Sequence, residues 1–488
     1  MALSASMAWE VRNGGASTNS GGFKAGASGT DRTQQDAAYI TFTDLVIDAV
    51  DNTKVTSAGN PFDSTSPGNT IRVSGGTGFT TGTYEILSVA TGVATLDRAV
   101  GTTSSTGGTG TLGGGKVRLE DVDSVIVAGN TVWMLGGLTY TRTTTNTLTA
   151  DGTATAQIRV IGYKSGNRTD VDIDEADMPI ITSATNSVAL ITLNAAPYWS
   201  FRNVKFTHTA ATRGNGIVNV TAATTNGPMF HNCVFDGCLS ALNNGSTSAA
   251  SMQAVVFSKC AIRNSTSHGV SLDTGDARPS PFIFDGCDIS ANAGGGIRTT
   301  TTFAQSLTVR RCVFRGQTGA SGYGIWIGQT TGAQNGMTID IDSSVFYSNA
   351  QSGVRFDCTT SRPATVSITN NIFVSNTAYG VSCATAGIMD SNGARALNNA
   401  FYGNGGARQN FVTGGGDVTL TGSPFTNAGS GDFTLNNTTN AGAACRAVGF
   451  PTAVGPSGAT VGTNYQDIGP LQAQPSAGGG TVAYGFAG

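Results

Sequence analysis

The stretch FDGCDISANAGGGIR, residues 284–298, places Asp285 and Asp288 three apart and Arg298 ten residues further on. Two carboxylates and a nearby guanidinium are a set that polysaccharide-cleaving sites use, because one acid can donate a proton while the other stabilises charge or activates water. A second acid pair, Asp340 and Asp342 in TIDIDSS, lies on one face of an alternating strand. Glu occurs only at positions 10, 85, 120 and 175. The three histidines, His208, His231 and His268, show no HExxH or clustered spacing, so a shared metal is not expected. The sequence assigns no cofactor and no catalytic residue.

Whether Asp285, Asp288 and Arg298 act together depends on the elements that carry them. One hexapeptide recurs as FRNVKF (201), FHNCVF (230), FSKCAI (257), FDGCDI (284), VRRCVF (309), IDSSVF (341), ITNNIF (368) and ALNNAF (396). Most copies are followed by Gly and a short alternating strand, as in GVSL (269), GIRT (296), GIWI (324) and GVRF (353). The fourth hexapeptide position falls at 204, 233, 260, 287, 312, 344, 371 and 399, in steps of 29, 27, 27, 25, 32, 27 and 28. Apolar residues at period two with Gly inside each unit exclude helical repeats. A unit this short cannot bury its apolar face alone and must stack on its neighbours.

Register then assigns faces. The sixth hexapeptide residues, Phe235, Ile262, Ile289, Phe314, Phe346 and Phe373, are expected inside, each on its successor. Asp285 aligns with Ser258, Arg310 and Asp342, a column that accepts either charge and is expected in solvent. Asp288 is the exception in the apolar column Val234, Ala261, Val313, Val345 and Ile372. Arg298 aligns with Ser271, Trp326, Arg355 and Ser382, and alternation turns that column outward. Asp285 and Arg298 therefore lie on different strands of one coil, and the three residues read as the outside of a repeat. The stripe Arg298, Trp326, Arg355 is the candidate binding site, since Trp and Arg are enriched at interfaces. Four of the eight cysteines, Cys233, Cys260, Cys287 and Cys312, share the position of Ser344, Asn371 and Asn399, and are expected reduced and buried.

The coil, clearest in ITNNIFVSNTAYGVSC, resembles right-handed parallel β-helix proteins of the pectate-lyase-like class, with stacked Asn at a turn. The expected fold is all-β: a right-handed parallel β-helix solenoid over 116–425, a β-rich N-terminal region over 1–115, and a closing segment with a non-repetitive tail over 426–488. In the N-terminal region, GNTIRVSGGTGFTTGTYEILSVATGVATLDRAVG (68–101) reads as three strands, and GTTSSTGGTGTLGGG (101–115) as the boundary linker. The acid motifs of polygalacturonase-like hydrolases are missing apart from SHGV at His268.

Charged residues are 12% of the chain, about half the usual share. A net charge of −3 offers no reason to expect nucleic acid. No apolar run is long enough to span a membrane, and MALSASMAWEVRNGG has neither the basic nor the apolar part of a secretory signal. GVATLDRAVGTTSSTGGTGTLGGG is similar to segments of tailed-bacteriophage structural proteins. That resemblance implies a non-enzymatic virion protein, such as a capsid decoration protein, made in the host cytoplasm and bound to copies of itself and other virion proteins. The alternatives are a tail spike or fibre that binds or depolymerises host surface glycans, and an extracellular polysaccharide lyase or hydrolase.

Overall fold

Alternating apolar residues between tight turns make strands nearly all of the regular structure among the described residues. The computed structural model describes residues 3–166, 168–194, 196–220, 225–244, 252–253, 255–272, 281–299, 306–328, 338–358, 365–389, 394–446, 448–449 and 467–470. It divides into two compact units, one of residues 1–184, 190–205 and 231–233, the other of 185–189, 206–230 and 234–488.

In the first unit, Ile40–Ile47, Lys54–Thr56, Val93–Leu96, Gly82–Ala90, Thr70–Gly75 and Gly108–Leu112 close into a barrel in that order. Phe42, Ile47, Ile71, Tyr84, Ile86 and Leu112 fill it. The three strands expected in 68–101 are present, but part of the stretch read as a linker is the strand that closes the barrel. Gly110 suits that strand because a Cβ there would lie 2.4 Å from the Arg72 carbonyl oxygen. Outside the barrel, Met7–Val11 pairs in parallel with Thr131–Leu135, which pairs with Ile158–Tyr163 and through it with Trp199–Arg202. The place of Met7–Val11 beside Thr131–Leu135 is not legible from the repeats, because the barrel separates the two in sequence.

The second unit is a solenoid of three parallel sheets. A representative coil is Thr338–Asp342, Val345–Tyr347 and Val354–Phe356, one strand for each sheet. The expected register holds throughout, pairing Phe235 with Ile262, Ile262 with Ile289, Ile289 with Phe314, Phe314 with Phe346 and Phe346 with Phe373. These residues are fully buried. The Phe314–Phe346 and Phe346–Phe373 rings stack at 4.9 Å, and Phe373–Phe401 at 5.2 Å. Gly324 and Gly353 precede the third strand because a Cβ would come within 2.7 and 2.8 Å of the Phe346 and Phe373 rings.

Two polar columns run beside this stack. At the first corner, Ser344 N–H donates to Asn371 Oδ1 at 2.9 Å, Asn371 N–H to Asn399 Oδ1 at 3.0 Å, and Asn399 N–H to Asp417 Oδ1 at 2.7 Å. Thiols continue the column, Cys287 N–H pointing to Cys312 Sγ at 3.4 Å and Cys287 Sγ–H to the Phe257 carbonyl at 3.5 Å. All eight cysteines are unpaired and buried. Burial pushes the Cys287 and Cys312 thiols well up. The second column, Asn292, Gln317, Asn349, Asn376 and Asn404, was missed in the sequence. Each N–H in it donates to the next side-chain oxygen, at 3.0 to 3.3 Å.

The closing segment lies along a flank. Leu420, Phe425, Phe433, Cys445 and Ile468 cover Val313, Val345, Ile372 and Ala400 on the outer face of the second sheet. The apolar column thus faces outward, as alternation requires, yet from Val313 to Ala400 it is not an open flank. The chain's own segment buries it.

Ser265 occupies the second column where its successors carry amides, and its buried Oγ lacks a hydrogen-bond partner. Ser265→Asn restores the missing bonds and should raise stability by about 1 kcal/mol, read as a higher Tm. An unchanged or lower Tm would show that this corner cannot accept an amide. Thiol titration should find no reactive cysteine in the folded protein and eight in denaturant without reductant.

Candidate functional site

The corner between the first and second sheets sets the surroundings of the two acids in FDGCDI. The chain turns there in two residues, the first left-handed: Gly286 at φ 63°, Arg311 at 54°, Ser343 at 51° and Asn370 at 57°. Asp285 ends one strand before this corner and Asp288 begins the next after it. Their carboxylates take different partners from the following coil. Arg311 Nε–H donates to Asp285 Oδ1 at 2.8 Å. Arg315 grips Asp288 with two bonds, 3.1 Å from Nε and 2.8 Å from Nη2. Arg298 lies on the third sheet with its guanidinium 4.9 Å from the Trp326 ring. The structure does not bring Asp285, Asp288 and Arg298 together. Asp285, expected in open solvent, is a half-buried ion pair.

The same column holds a more compact group. Arg310, the register partner of Asp285 and Asp342, donates to Asp340 Oδ2 at 2.9 Å. Asp342 accepts from Thr369 Oγ1 at 2.9 Å, Asn370 Nδ2 at 3.1 Å and Ser343 Oγ at 3.2 Å. Burial raises the Asp342 carboxyl above the ordinary carboxylate value against these donors, and Asp340 adds to the shift. The two acids share one strand, as the spacing predicts. Asp288 is on the second sheet and Asp357 follows a strand of the third, so neither joins them.

Arg298, Trp326 and Arg355 are register neighbours, flanked by Ser271 and Ser382. Asp357 ties the stripe together, accepting Trp326 Nε1–H at 2.6 Å on one oxygen and Arg355 Nε–H at 2.7 Å on the other. The sequence reading missed Asp357, although its place two residues after Arg355 puts it on the same face. Tyr323 and His268 approach the indole with centroids at 5.7 and 6.0 Å. His268 is buried, and that burial together with Arg298 pushes its imidazole down to about 4. The stripe is a half-buried aromatic–cationic cluster. Among the described residues, no three His, Cys, Asp or Glu side chains converge so as to hold a metal ion.

A shallow groove of about 570 Å³ lies at the corner between the second and third sheets, lined by His208, Arg213, Asp236, Asn264 and Thr266. Its charged groups are engaged within the coils: Asp236 by Arg263 and Asn264, Arg213 by the Asn264 carbonyl, His208 by the Val188 carbonyl.

With this geometry in view, the family model for a right handed beta helix region matches residues 189–425. The solenoid is a right-handed parallel β-helix. Among solved structures, pectate lyase Pel9A is similar at 16% identity and a TM-score of 0.50, over 74% of this chain and 92% of that one. A rhamnogalacturonan lyase follows at 14% and 0.49, over 67% and 90%, and Geobacillus virus E2 ORF18 at 10% and 0.38, over 62% and 56%. Identities this low describe the β-helix fold alone. No curated protein sequence matches the chain.

The depressed imidazole gives a pH test. Folded His268 stays neutral to about 4, whereas the unfolded chain takes up a proton near 6.5. The unfolded state then binds more protons in that window, so stability is full above it and falls as pH drops through it. His268→Gln removes this component. Urea midpoints at pH 7 and pH 4.5 should fall less for the variant than for wild type, and parallel losses would contradict the assignment.

Proposed function

We propose that the protein is a non-enzymatic structural component of a bacteriophage virion, a surface β-helix such as a capsid decoration protein. The observation that carries this reading is the pairing of the coil carboxylates. Asp236 is bonded to Arg263, Asp285 to Arg311, Asp288 to Arg315, Asp340 to Arg310 and Asp357 to Arg355. A carboxylate gripped by a guanidinium has its oxygens engaged and is poorly placed to meet a substrate. The pairs serve the coils. The resemblance of residues 92–115 to phage structural proteins supports the particle setting, and a solenoid with internally bonded coils suits an exposed position. Its partners are copies of itself and other virion proteins, met through the Arg298–Trp326–Arg355 face.

One group favours a second reading. Asp342, protonated more readily than an ordinary carboxylate, stands beside Asp340 and Arg310, and that set suits a tail spike or lyase acting on a glycan. Two measurements separate the readings. Incubation with acidic and neutral polysaccharides should release no reducing or unsaturated ends, and purified particles should carry the protein in fixed stoichiometry. Cleavage that is lost in Asp342→Asn, or absence from the particle, would overturn the structural reading. Trp326→Ala should fold normally yet lower particle occupancy about 10-fold or more, since a buried interface Trp is commonly worth over 2 kcal/mol. Unchanged occupancy would move the contact elsewhere.

A further inference from the structure

The coils pass from the first sheet to the second in two residues, as between Thr338–Asp342 and Val345–Tyr347. One coil does not. Between Ile158–Tyr163 and Ile180–Ser183 the chain makes a long excursion, carrying Asp170, Asp172, Asp174, Glu175 and Asp177. The excursion lies back along the corner of its own unit. Asp170 Oδ1 accepts from Arg202 at 2.6 Å and its Oδ2 from Arg159 at 3.1 Å. Asp172 Oδ1 meets Arg202 and His231 Nε2, both at 2.8 Å. Lys205 reaches Glu175 at 2.6 Å and Lys164 reaches Asp177 at 2.7 Å. The arm's backbone is held too: the left-handed corner residues Asn203 and Asn232 donate their amides to the Val171 and Ile173 carbonyls, at 2.7 and 2.9 Å.

What this contact lacks is apolar burial. Arg168, at the start of the arm, is anchored on the buried Glu10 and on Asp31, but from residue 169 to residue 177 no side chain is buried, and Val171 is 53% exposed. The C-terminal segment, by contrast, is fixed by Phe425, Phe433 and Ile468. Ion pairs at half-exposed positions are screened by salt, while buried aromatic rings are not. The two attachments therefore respond to different conditions.

We propose that Arg159, Arg202, Lys205 and His231, with the Asn203 and Asn232 amides, form a docking track for an extended acidic peptide. Residues 169–177 are its resident occupant, released by ionic strength or by a competing acidic chain while the coils beneath stay folded. The side chains select carboxylates at alternate positions, and the corner amides select a backbone in extended form, two requirements that a diffuse basic patch does not impose.

Amide exchange and peptide binding on the full-length protein test this. Raising salt from about 20 to about 500 mM should speed exchange in 169–177 about 10-fold, with Ile158–Tyr163, Trp199–Arg202 and the 425–435 hairpin unchanged. A synthetic peptide with the sequence of residues 169–177 should bind Asp170→Asn/Asp172→Asn/Glu175→Gln at least about 10-fold more tightly than wild type at low salt, because the variant's own arm competes poorly. Salt-independent exchange, opening of the strands together with the arm, or equal peptide affinity for the two proteins each overturns the proposal.

Discussion

When a coil turns a corner, a backbone N–H within the turn has no partner in its own coil. The side chain at the same position one coil further on supplies it, as Asn399 Oδ1 does for Asn371 N–H and Asn404 Oδ1 for Asn376 N–H. The acceptor must also stand at the same depth, which forces equal register on every pair of neighbouring strands. With register fixed, the phenyl rings fall face on face near 5 Å and the glycine column clears them. The outward columns follow as a by-product, so an Asp or Arg outside meets whatever its neighbouring coil presents there. Salt bridges such as Asp288–Arg315 are consequences of the stack.

Thiols can stand in this column because the position asks for a small side chain that accepts one bond and tolerates full burial. Cys312 Sγ accepts from Cys287 N–H, weakly, and adds apolar volume that an amide would not. Four successive coils use this solution at one corner, while the other corner returns to amides from Asn292 onward. That difference accounts for reduced cysteines in a chain rich enough in thiols to suggest disulfides or metal.

Much of this was legible in the sequence. The hexapeptide positions repeat because the interior admits only apolar residues there, and counting along them put Arg298, Trp326 and Arg355 side by side before any coordinates. The amide column through Asn349 and Asn376 was not legible because Gln317, Ser265 and Cys238 disguise it. Met7–Val11 has no copy to align with, and a barrel stands between it and its neighbour. Asp357 lies on the stripe's face by alternation, but it belongs to no column of the repeat, so the register that lines up Arg298, Trp326 and Arg355 does not point to it. The covered flank was hidden for a different reason: residues 420–468 do not repeat, so their apolar residues gave no register against Val345 or Ile372.

Equilibrium urea unfolding of Asn376→Leu and Asp285→Asn compares the inside of the stack with its outside most directly. Asn376 is fully buried, accepts from Asn349 and donates to the Phe346 carbonyl at 3.0 Å and to Asn404 at 2.8 Å. Its replacement leaves buried partners unsatisfied and should cost about 2–4 kcal/mol. Asp285→Asn weakens one half-exposed pair and should cost less than about 1 kcal/mol. A loss for Asp285→Asn equal to or greater than that for Asn376→Leu would contradict the claim that the interior columns, and not the charges outside, hold the coils in register.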